Sequence, residues 1–259
     1  MLRVFIITLD EPVYAPVYLT NILAAVGHQI VGLTPLPATS QIGAWGLVRN
    51  RLAVYGPVDF LRAVAIYGRC RLRAALPRRG GDRFYSVERL AAAQGVPVIP
   101  CRDVNAPGYM ETLRGLGVDV LVSVAANQRF GPELLELPRL ACLNVHSALL
   151  PNYRGMDGLF WALAHGEREV GVTVHEMSPG IDEGPIVAQE PFPVRPGEPL
   201  HHLYYRAMEH GAPLLARALD AYAEGTVTLR PNPADQGRTF SWPTREAARR
   251  FRQHGHRFF

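Results

Sequence analysis

Runs of apolar residues alternate with stretches of helical spacing along most of the chain. "LRVFIITL" has the pattern of a strand, and "APVYLTNILAAVG" after it has apolar residues at helical spacing up to Gly27. The alternation returns in "SVERLAAAQG", "VPVIP", "YMETLRGLG" and "VDVLVSVAA". Strands that are apolar at nearly every position, with helices between them, are typical of a parallel sheet covered on both faces. The pattern predicts an α/β fold with an open, mostly parallel twisted sheet and helices on both faces.

The second half of the chain continues this order and ends in a long helix. "ACLNVH", "VGVTVHEM" and "PIVAQEPFPV" have the pattern of strands, and "GLFWALAHGE" has that of a helix. "LHHLYYRAMEHGAPLLARALDAYAEG" predicts a long helix that is interrupted near Pro213. We therefore predict a main domain over residues 1–205. Residues 206–259 are predicted to form a C-terminal helix and a basic extension packed on the same domain.

Residues 38–85 break the alternation and concentrate arginine. The segment predicts two inserted helices that are separated at Gly56-Pro57. Between residues 49 and 83 there are nine arginines, and the only acidic residues are Asp59 and Asp82. The simplest interpretation is a solvated basic face on an inserted helical hairpin. A surface for an anionic substrate or for a membrane is the alternative interpretation.

The composition is that of a globular protein. The chain has 259 residues, of which 48% are hydrophobic and 19% charged. It contains no apolar run near the roughly 20 residues that a membrane-spanning helix needs. "MLRVFIITLD" is too short and too strand-like for the apolar core of a signal peptide. These features predict a cytoplasmic protein.

Arginine supplies every basic side chain, because none of the 27 Lys+Arg residues is a lysine. This excludes a lysine Schiff base and a P-loop lysine. The three cysteines, Cys70, Cys101 and Cys142, include no Cys-x-x-Cys pair, which argues against a disulfide framework and a zinc ribbon. The net charge of +4 permits an anionic substrate and is too small to indicate nucleic acid.

Three polar side chains have the pattern of a reaction centre. Asn144 and His146 stand two residues apart at the end of a predicted strand, so they face the same side, where open parallel sheets bind ligands. Asp182 follows in "SPGIDEGPIV", between glycines that let the loop approach a ligand. An amide, an imidazole and a carboxylate suit stabilisation of an oxyanion and proton transfer from an amine. Because Ser147 would face the opposite side, direct transfer between two bound substrates is favoured over a covalent intermediate.

The motifs "NVHSALLPNYRG" and "GIDEGPI" resemble those of the 10-formyltetrahydrofolate-dependent formyltransferases, in the branch of the methionyl-tRNA and sugar N-formyltransferases. The resemblance implies a Rossmann-like formyltransferase fold with its catalytic domain in residues 1–205. It implies 10-formyltetrahydrofolate as formyl donor and no metal. It also implies that Asn144 hydrogen-bonds the formyl oxygen and that His146 stabilises the oxyanion and transfers a proton. Asp182 would hold His146 and accept the amine proton through water.

The resemblance further implies where the folate binds. The pocket would be formed by the segment after "VDVLVSVAA" and by the loop before Asp182. Its residues would be Ala126, Asn127, Gln128, Arg129 and Phe130, together with Pro179, Gly180 and Ile181.

Four residues near the reaction centre are candidate contacts for the amine: Tyr153, Arg154, Asp157 and His175. Two of them have equally simple structural interpretations, since Asp157 could cap the following helix and His175 could be a packed histidine at a strand end. A metal site built from His175, His146 and Asp182 is disfavoured, because Asn144 would then have no role.

Departures from the family pattern bear on the acceptor. Ala148 stands where the family has serine, and "RGMDG" replaces the commoner Arg-Gly-Ala-x-Pro. The leading interpretation is formyl transfer to a primary amine of a small metabolite, phosphorylated or nucleotide-linked, with an amino sugar nucleotide first. The alternatives are a formyltetrahydrofolate hydrolase, a methionyl-tRNA formyltransferase-like activity, and an inactive binding protein, which the intact reaction centre disfavours. Nucleic acid is not expected as a partner. The basic, aromatic tail "SWPTREAARRFRQHGHRFF" is interpreted as a docking or dimer segment, which allows a homodimer, and RNA contact is the less favoured alternative, because a basic patch alone is weak evidence.

Overall fold

A six-stranded mixed sheet forms the centre of the protein. The computed structural model describes residues 1–38, 43–78, 80–81 and 83–259. The strands are β1 (Arg3–Asp10), β2 (Gln29–Pro37), β3 (Val120–Val124), β4 (Ala141–His146), β5 (Arg154–Gly155), β6 (Glu169–Glu176), β7 (Ile186–Pro193) and β8 (Thr239–Phe240). The helices are α1 (Ala15–Ala25), α2 (Gly43–Ala75), α3 (Val87–Ala93), α4 (Pro107–Gly115), α5 (Pro132–Leu135), α6 (Gly158–Ala164), α7 (Leu200–Glu224) and α8 (Arg245–Gln253).

The main sheet has the strand order β2-β1-β3-β4-β6-β7. β1 is parallel to β2 and β3, and β3 is parallel to β4, whereas β6 is antiparallel to both of its neighbours. The direction changes at β4, so that Asn144 lies opposite His175 and His146 lies opposite Thr173. The predicted α/β fold with a mostly parallel sheet is confirmed. β5 and β8 pair separately as a small parallel sheet.

Alternate residues of β1 enter two separate cores. Val4 and Ile6 pack in the larger core with α1, α6, α7 and α8, while Phe5 and Ile7 pack in the smaller core with α4. All five residues of β3 are buried. Because both faces of the central strands are covered, these strands need no polar side, which explains their nearly continuous apolar sequence.

Two elements differ from the sequence-based expectation. "VPVIP" makes a single bridge, from Val98 to Leu33, and forms no strand. Pro97 and Pro100 lack the N–H groups that a strand ladder requires. The expected break near Pro213 is wrong, because α7 runs through it. Proline removes one helical hydrogen bond, and packing of α7 on α1, β6 and β7 outweighs that loss. The division at residues 205 and 206 stays a prediction, and it falls inside α7.

The insertion forms one long helix with a sharp kink. Gly56 has a φ of 74° and a ψ of 170° within α2, so the two halves separate at the predicted position. Residues 39–42, Arg79 and Asp82 of the expected 38–85 insertion lie outside the described residues. In the part of the chain that the structure describes, no helix combines the length and the apolar content needed to cross a bilayer.

Candidate active site

Asn144, His146 and Asp182 come together at the end of β4. Asn144 Nδ2 lies 3.2 Å from Asp182 Oδ1, and His146 Nδ1 lies 3.5 Å from Asp182 Oδ2. The first two residues project from the same face of β4, and Asp182 reaches them from the loop between β6 and β7. The three candidate catalytic side chains therefore form one cluster.

Asp182 is held in a backbone conformation that few non-glycine residues adopt. Its φ is 52°, and its Oδ2 accepts a hydrogen bond from the backbone N–H of Gly155 at 2.7 Å. Its carbonyl oxygen accepts from Arg154 Nε at 3.1 Å and from Asn232 Nδ2 at 2.8 Å. These bonds fix both the carboxylate and the backbone, which is how a strained conformation persists at a site.

The carboxyl group of Asp182 has a strongly altered acidity. Burial raises its pKa, but the charge of His146, the hydrogen bond and charge of His175, and the N–H of Gly155 together outweigh burial and hold the pKa well below its ordinary value. The group is therefore an anion at neutral pH. It is a weak base and a strong electrostatic partner for a protonated imidazole.

Two histidines contact Asp182 from different sides. His146 Nε2 donates to the carbonyl of Tyr153 at 2.8 Å, because a carbonyl can only accept, and this leaves Nδ1 towards the carboxylate. By the same reasoning His175 Nδ1 donates to the carbonyl of Glu176 at 2.7 Å. His175 Nε2 then lies 3.4 Å from Asp182 Oδ1. Within the described ranges, no group of three or more His, Cys, Asp or Glu side chains has the arrangement of a metal site.

The amide nitrogen of Asn144 lies between two protein groups. Its Nδ2 lies 3.1 Å from His175 Nε2 in addition to 3.2 Å from Asp182 Oδ1. Asp182 Oδ1 accepts from one amide hydrogen, and the other is available to a substrate oxygen when His175 Nε2 carries its proton towards Asp182. His175, a candidate acceptor contact from the sequence, is buried against Asn144 and has both ring nitrogens engaged by protein groups.

The structure corrects the role expected for Arg154. This side chain is 1% exposed, and its guanidinium donates to Asn232 Oδ1 at 2.7 Å, to the carbonyl of Pro233 at 2.9 Å and to that of Gln236 at 2.7 Å. With these donors engaged inside the protein, the guanidinium does not reach an acceptor. Arg154 instead ties the segment after residue 231 to the backbone of Asp182.

Asn232 is a supporting residue that the sequence reasoning missed. It is buried, and its Nδ2 donates to the carbonyls of Asp182 and Gly184, each at 2.8 Å. A proline on each side restricts its backbone, and this was the only local signal in the sequence. Its partners lie far away along the chain, so spacing rules could not find them.

Tyr153 and Asp157 lie on either side of β5, and both are half-buried. Tyr153 has a φ of 58°, and its hydroxyl donates to Glu167 Oε1 at 2.7 Å. Asp157 accepts from the hydroxyl of Tyr204 at 3.2 Å. Its side chain makes no cap hydrogen bond to α6, so the capping interpretation is wrong. A contact of Tyr153 or Asp157 with the acceptor stays a prediction.

The segment expected to line the folate pocket follows β3 and is fastened by its own side chains. Gln128 Oε1 accepts from the N–H of Val104 at 3.0 Å, and Gln128 Nε2 donates to the carbonyl of Arg102 at 2.8 Å. The ring of Phe130 packs in the smaller core, so it supports the segment from inside. The exposed or half-buried members of the predicted pocket are Ala126, Asn127, Gln128, Arg129, Pro179, Gly180 and Ile181.

The chain belongs to the formyl transferase family, whose model matches residues 84–219, more than half of the chain. The resemblance inferred from the motifs is thereby confirmed. A methionyl-tRNA formyltransferase of Myxococcus xanthus is 36% identical over 178 residues, which are 64% of this chain and 57% of the relative. One of Synechococcus sp. is 40% identical over 150 residues, 58% of this chain and 46% of the relative. The chain thus spans about half the length of the curated relatives it matches.

Solved structures share the fold at lower identity. A glycinamide ribonucleotide transformylase from Symbiobacterium toebii has a TM-score of 0.61 at 20% identity, covering 89% of this chain and 94% of that protein. An N-formyltransferase from Helicobacter canadensis, solved with folinic acid and dTDP-3-aminofucose, has a TM-score of 0.58 at 18% identity, covering 93% of this chain and 71% of that protein. At these identities the likeness shows a common architecture.

Proposed function

We propose that the protein transfers a formyl group from 10-formyltetrahydrofolate to a primary amine. The proposal rests on the cluster of Asn144, His146 and Asp182 in a chain of the formyl transferase family. The amine nitrogen attacks the formyl carbon, the bond from that carbon to N10 of the folate breaks, and a proton lost by the amine ends on N10. The products are a formamide and tetrahydrofolate.

Negative charge develops on the formyl oxygen when its carbon becomes tetrahedral, and His146 and Asn144 are placed to stabilise it. The 3.5 Å between His146 Nδ1 and Asp182 Oδ2 is too long for a strong hydrogen bond, so an Nδ1–H can turn to the substrate oxygen. Asn144 donates to the same oxygen through the amide hydrogen that Asp182 does not accept. Asp182 stabilises the ring of His146 whenever it is protonated.

The low pKa of Asp182 refines its part in the reaction. A carboxylate of low basicity does not retain the amine proton, so its larger effect is electrostatic. Any proton that it receives through water passes on to N10 of the folate. His146, which contacts the same carboxylate, is the group that exchanges a proton with the reacting atoms.

The amine of methionyl-tRNA is the first candidate acceptor. The relatives at 36% and 40% identity are methionyl-tRNA formyltransferases. This order differs from the one expected from the sequence, in which an amino sugar nucleotide came first and nucleic acid was not a partner. An amino sugar nucleotide is the second candidate, because the half-buried carboxylate of Asp157 beside β5 is a suitable partner for sugar hydroxyls or a second charged group.

The function is tested by incubating the protein with 10-formyltetrahydrofolate and methionyl-tRNA, a dTDP-amino sugar, or no acceptor. Tetrahydrofolate is followed by absorbance, and the formylated product is identified by mass spectrometry. We expect tetrahydrofolate and formamide in equal amounts in one acceptor arm. Formate released without an acceptor would make the protein a hydrolase instead. Absence of tetrahydrofolate in every arm would contradict the proposal.

A further inference from the structure

The half of α2 that follows the kink, residues 57–75, packs on the protein along one side only. Ala63, Ile66, Cys70 and Ala74 recur every three or four residues and are buried or half-buried. This periodicity identifies the side that faces the protein. The rest of the helix circumference faces solvent.

An apolar stripe runs along the solvent side of this half. Val58 is 62% exposed, Leu61 is 66% exposed and Leu72 is 61% exposed. Such side chains at three- and four-residue spacing form a continuous apolar surface, and surfaces of this kind mark interaction sites. We name this surface the outer stripe, and its members are Val58, Leu61, Ala65, Gly68, Leu72 and Leu76.

Exposed arginines flank the outer stripe on both sides. Helical geometry places Arg62, Arg69 and Arg73 along one edge and Arg71 along the other. The only acidic residue in the sequence of α2 is Asp59, and it is paired with Arg62 at 2.9 Å. Arginine can lay its methylene groups on an apolar surface while its guanidinium stays at the rim. The surface is therefore apolar along its middle and cationic at its edges.

We propose that the outer stripe docks on an anionic lipid bilayer, with this half of α2 lying in the plane of the interface. Acyl chains take up the apolar side chains, and headgroup phosphates bind the flanking guanidinium groups. The first half of α2, before the kink, has an exposed apolar row of its own in Trp45, 86% exposed, with Val48 and Leu52 at the same spacing. Tryptophan is enriched at the level of lipid headgroups.

The charge and the apolar side chains of this surface favour a bilayer over a second copy of the chain and over RNA. A second copy of the chain would bring its arginine rows against those of the first, with Asp59 as the sole acid of each α2. RNA would bind the arginines, but the outer stripe itself offers no ring on which bases stack, since Tyr67 lies on another side of the helix and Trp45 lies before the kink. A bilayer satisfies the apolar middle and the cationic edges together. The proposal does not depend on formyl transfer.

The test is co-sedimentation of the full chain with vesicles of phosphatidylcholine alone and of phosphatidylcholine with an equal share of phosphatidylglycerol. The apolar variant is Leu61→Ser with Leu72→Ser, and its control is Leu140→Ser with Leu229→Ser, two exposed leucines elsewhere. The charge variant is Arg62→Glu with Arg69→Glu, and its charge-matched control is Arg168→Glu with Arg195→Glu, also exposed. Circular dichroism and thermal unfolding establish that each variant is folded.

The wild-type protein and both controls should sediment with the anionic vesicles and not with the neutral ones. The two stripe variants should bind at least about tenfold more weakly, since each basic side chain near an anionic surface contributes on the order of fivefold. Wild-type protein that stays in solution with anionic vesicles would overturn the proposal. So would serine variants that bind as well as wild type, since the apolar side chains would then contribute nothing to binding. A wild-type dimer in sedimentation velocity that the serine variant loses would assign the face to a second copy.

Discussion

Asp182 Oδ2 accepts the backbone N–H of Gly155 at 2.7 Å, which joins the loop after β6 to the short strand β5. The same carboxylate faces His146 and Asn144 through its two oxygens. One residue therefore fixes the position of the catalytic cluster and supplies its charge. A substitution at Gly155 should disturb mainly the position of this cluster, and a substitution at Asp182 should also remove its charge.

Asp182→Asn is expected to lower kcat by roughly 10²–10⁴, the range typical of positioned proton-transfer and oxyanion groups. The variant loses the negative charge beside His146, and one of its two side-chain oxygens becomes a donor facing the N–H of Gly155 or the amide of Asn144. Rates of formyl transfer are compared with those of Asp235→Asn, an exposed aspartate. A rate near wild type would remove Asp182 from the reaction centre.

His146→Ala should cause a loss of similar size, because the imidazole of His146 faces the carboxylate of Asp182 from the end of β4, where the substrate oxygen is proposed to bind. The folded state should be retained, since alanine leaves the strand intact. Single-turnover kinetics with saturating formyl donor isolates the chemical step. His202→Ala, exposed on α7, serves as the control. An unchanged single-turnover rate would assign the proton transfer to another group.

Gly155→Ala should lower the free energy of unfolding by about 3 kcal/mol or more, through strain and a backbone collision. Gly155 has a φ of 84°, and a Cβ there would meet the carbonyl of Phe240. The measurement is urea unfolding followed by circular dichroism. Gly108→Ala is the control, because a Cβ at that position meets nothing within 4 Å. Equal urea midpoints for Gly155→Ala and Gly108→Ala would mean that β5 can move to accept the new Cβ without loss of stability.

Arg154→Lys should destabilise the protein by about 2 kcal/mol and lower kcat as well, since lysine cannot reproduce the fork of donors and hydrogen bonds from a charged group contribute roughly 1.5–3 kcal/mol each. The carbonyls of Pro233 and Gln236 would lose a donor, and the buried Asn232 Oδ1 would lose its charged partner. Arg168→Lys, on the surface, is the control. If Arg154 instead contacted the acceptor, KM for the acceptor would rise and stability would stay unchanged.

His201 predicts a pH dependence of stability. Burial, followed by the nearby charges of His202, Arg83 and Arg69, lowers the pKa of His201 from 6.5 to about 4, and the hydroxyl of Tyr14 lies 2.6 Å from its Nδ1. Between pH 6.5 and about 4 the unfolded chain binds a proton that the folded chain does not. The free energy of unfolding should therefore fall as the pH falls through this window.

His201→Gln should reduce that decline, and urea unfolding at several pH values between neutrality and pH 4 measures it. His254→Gln is the control, since this exposed histidine is not among the groups that lower the pKa of His201. The same slope in wild type and His201→Gln would show that His201 takes up its proton equally in both states.

Local patterns predicted the strands, the face shared by Asn144 and His146, and the kink at Gly56-Pro57. These features depend on periodicity and on backbone chemistry close in sequence. The strand predicted for "VPVIP" was wrong. Its apolar composition did not reveal that the segment lies beside β2 with a single bridge, where its two prolines lack the N–H groups of a strand ladder. The helix break predicted at Pro213 was wrong because the packing of α7 on α1, β6 and β7 outweighs the loss of one hydrogen bond.

The position of Asp182 came from resemblance, since no spacing rule links it to β4. Arg154 was misplaced for a related reason. An arginine in a loop of glycine and aspartate has the pattern of a surface contact, and its burial depends on the distant pairing of β5 with β8. Asn232 was missed because its partners belong to the same distant pairing. The positions of Asp182, Arg154 and Asn232 all depend on contacts between segments that are remote in sequence.

The family match ends at residue 219, yet the segment that accepts hydrogen bonds from the guanidinium of Arg154 begins at Asn232. The cluster at the end of β4 is thus completed by a part of the chain beyond the matched region. A chain that ended after α7 would keep Asn144, His146 and Asp182. It would lose the hydrogen bonds from Asn232 to the backbone of the Asp182 loop. We therefore expect activity to depend on the pairing of β5 with β8 and on the stretch between α7 and α8, whose loss would leave Asn144, His146 and Asp182 chemically unchanged.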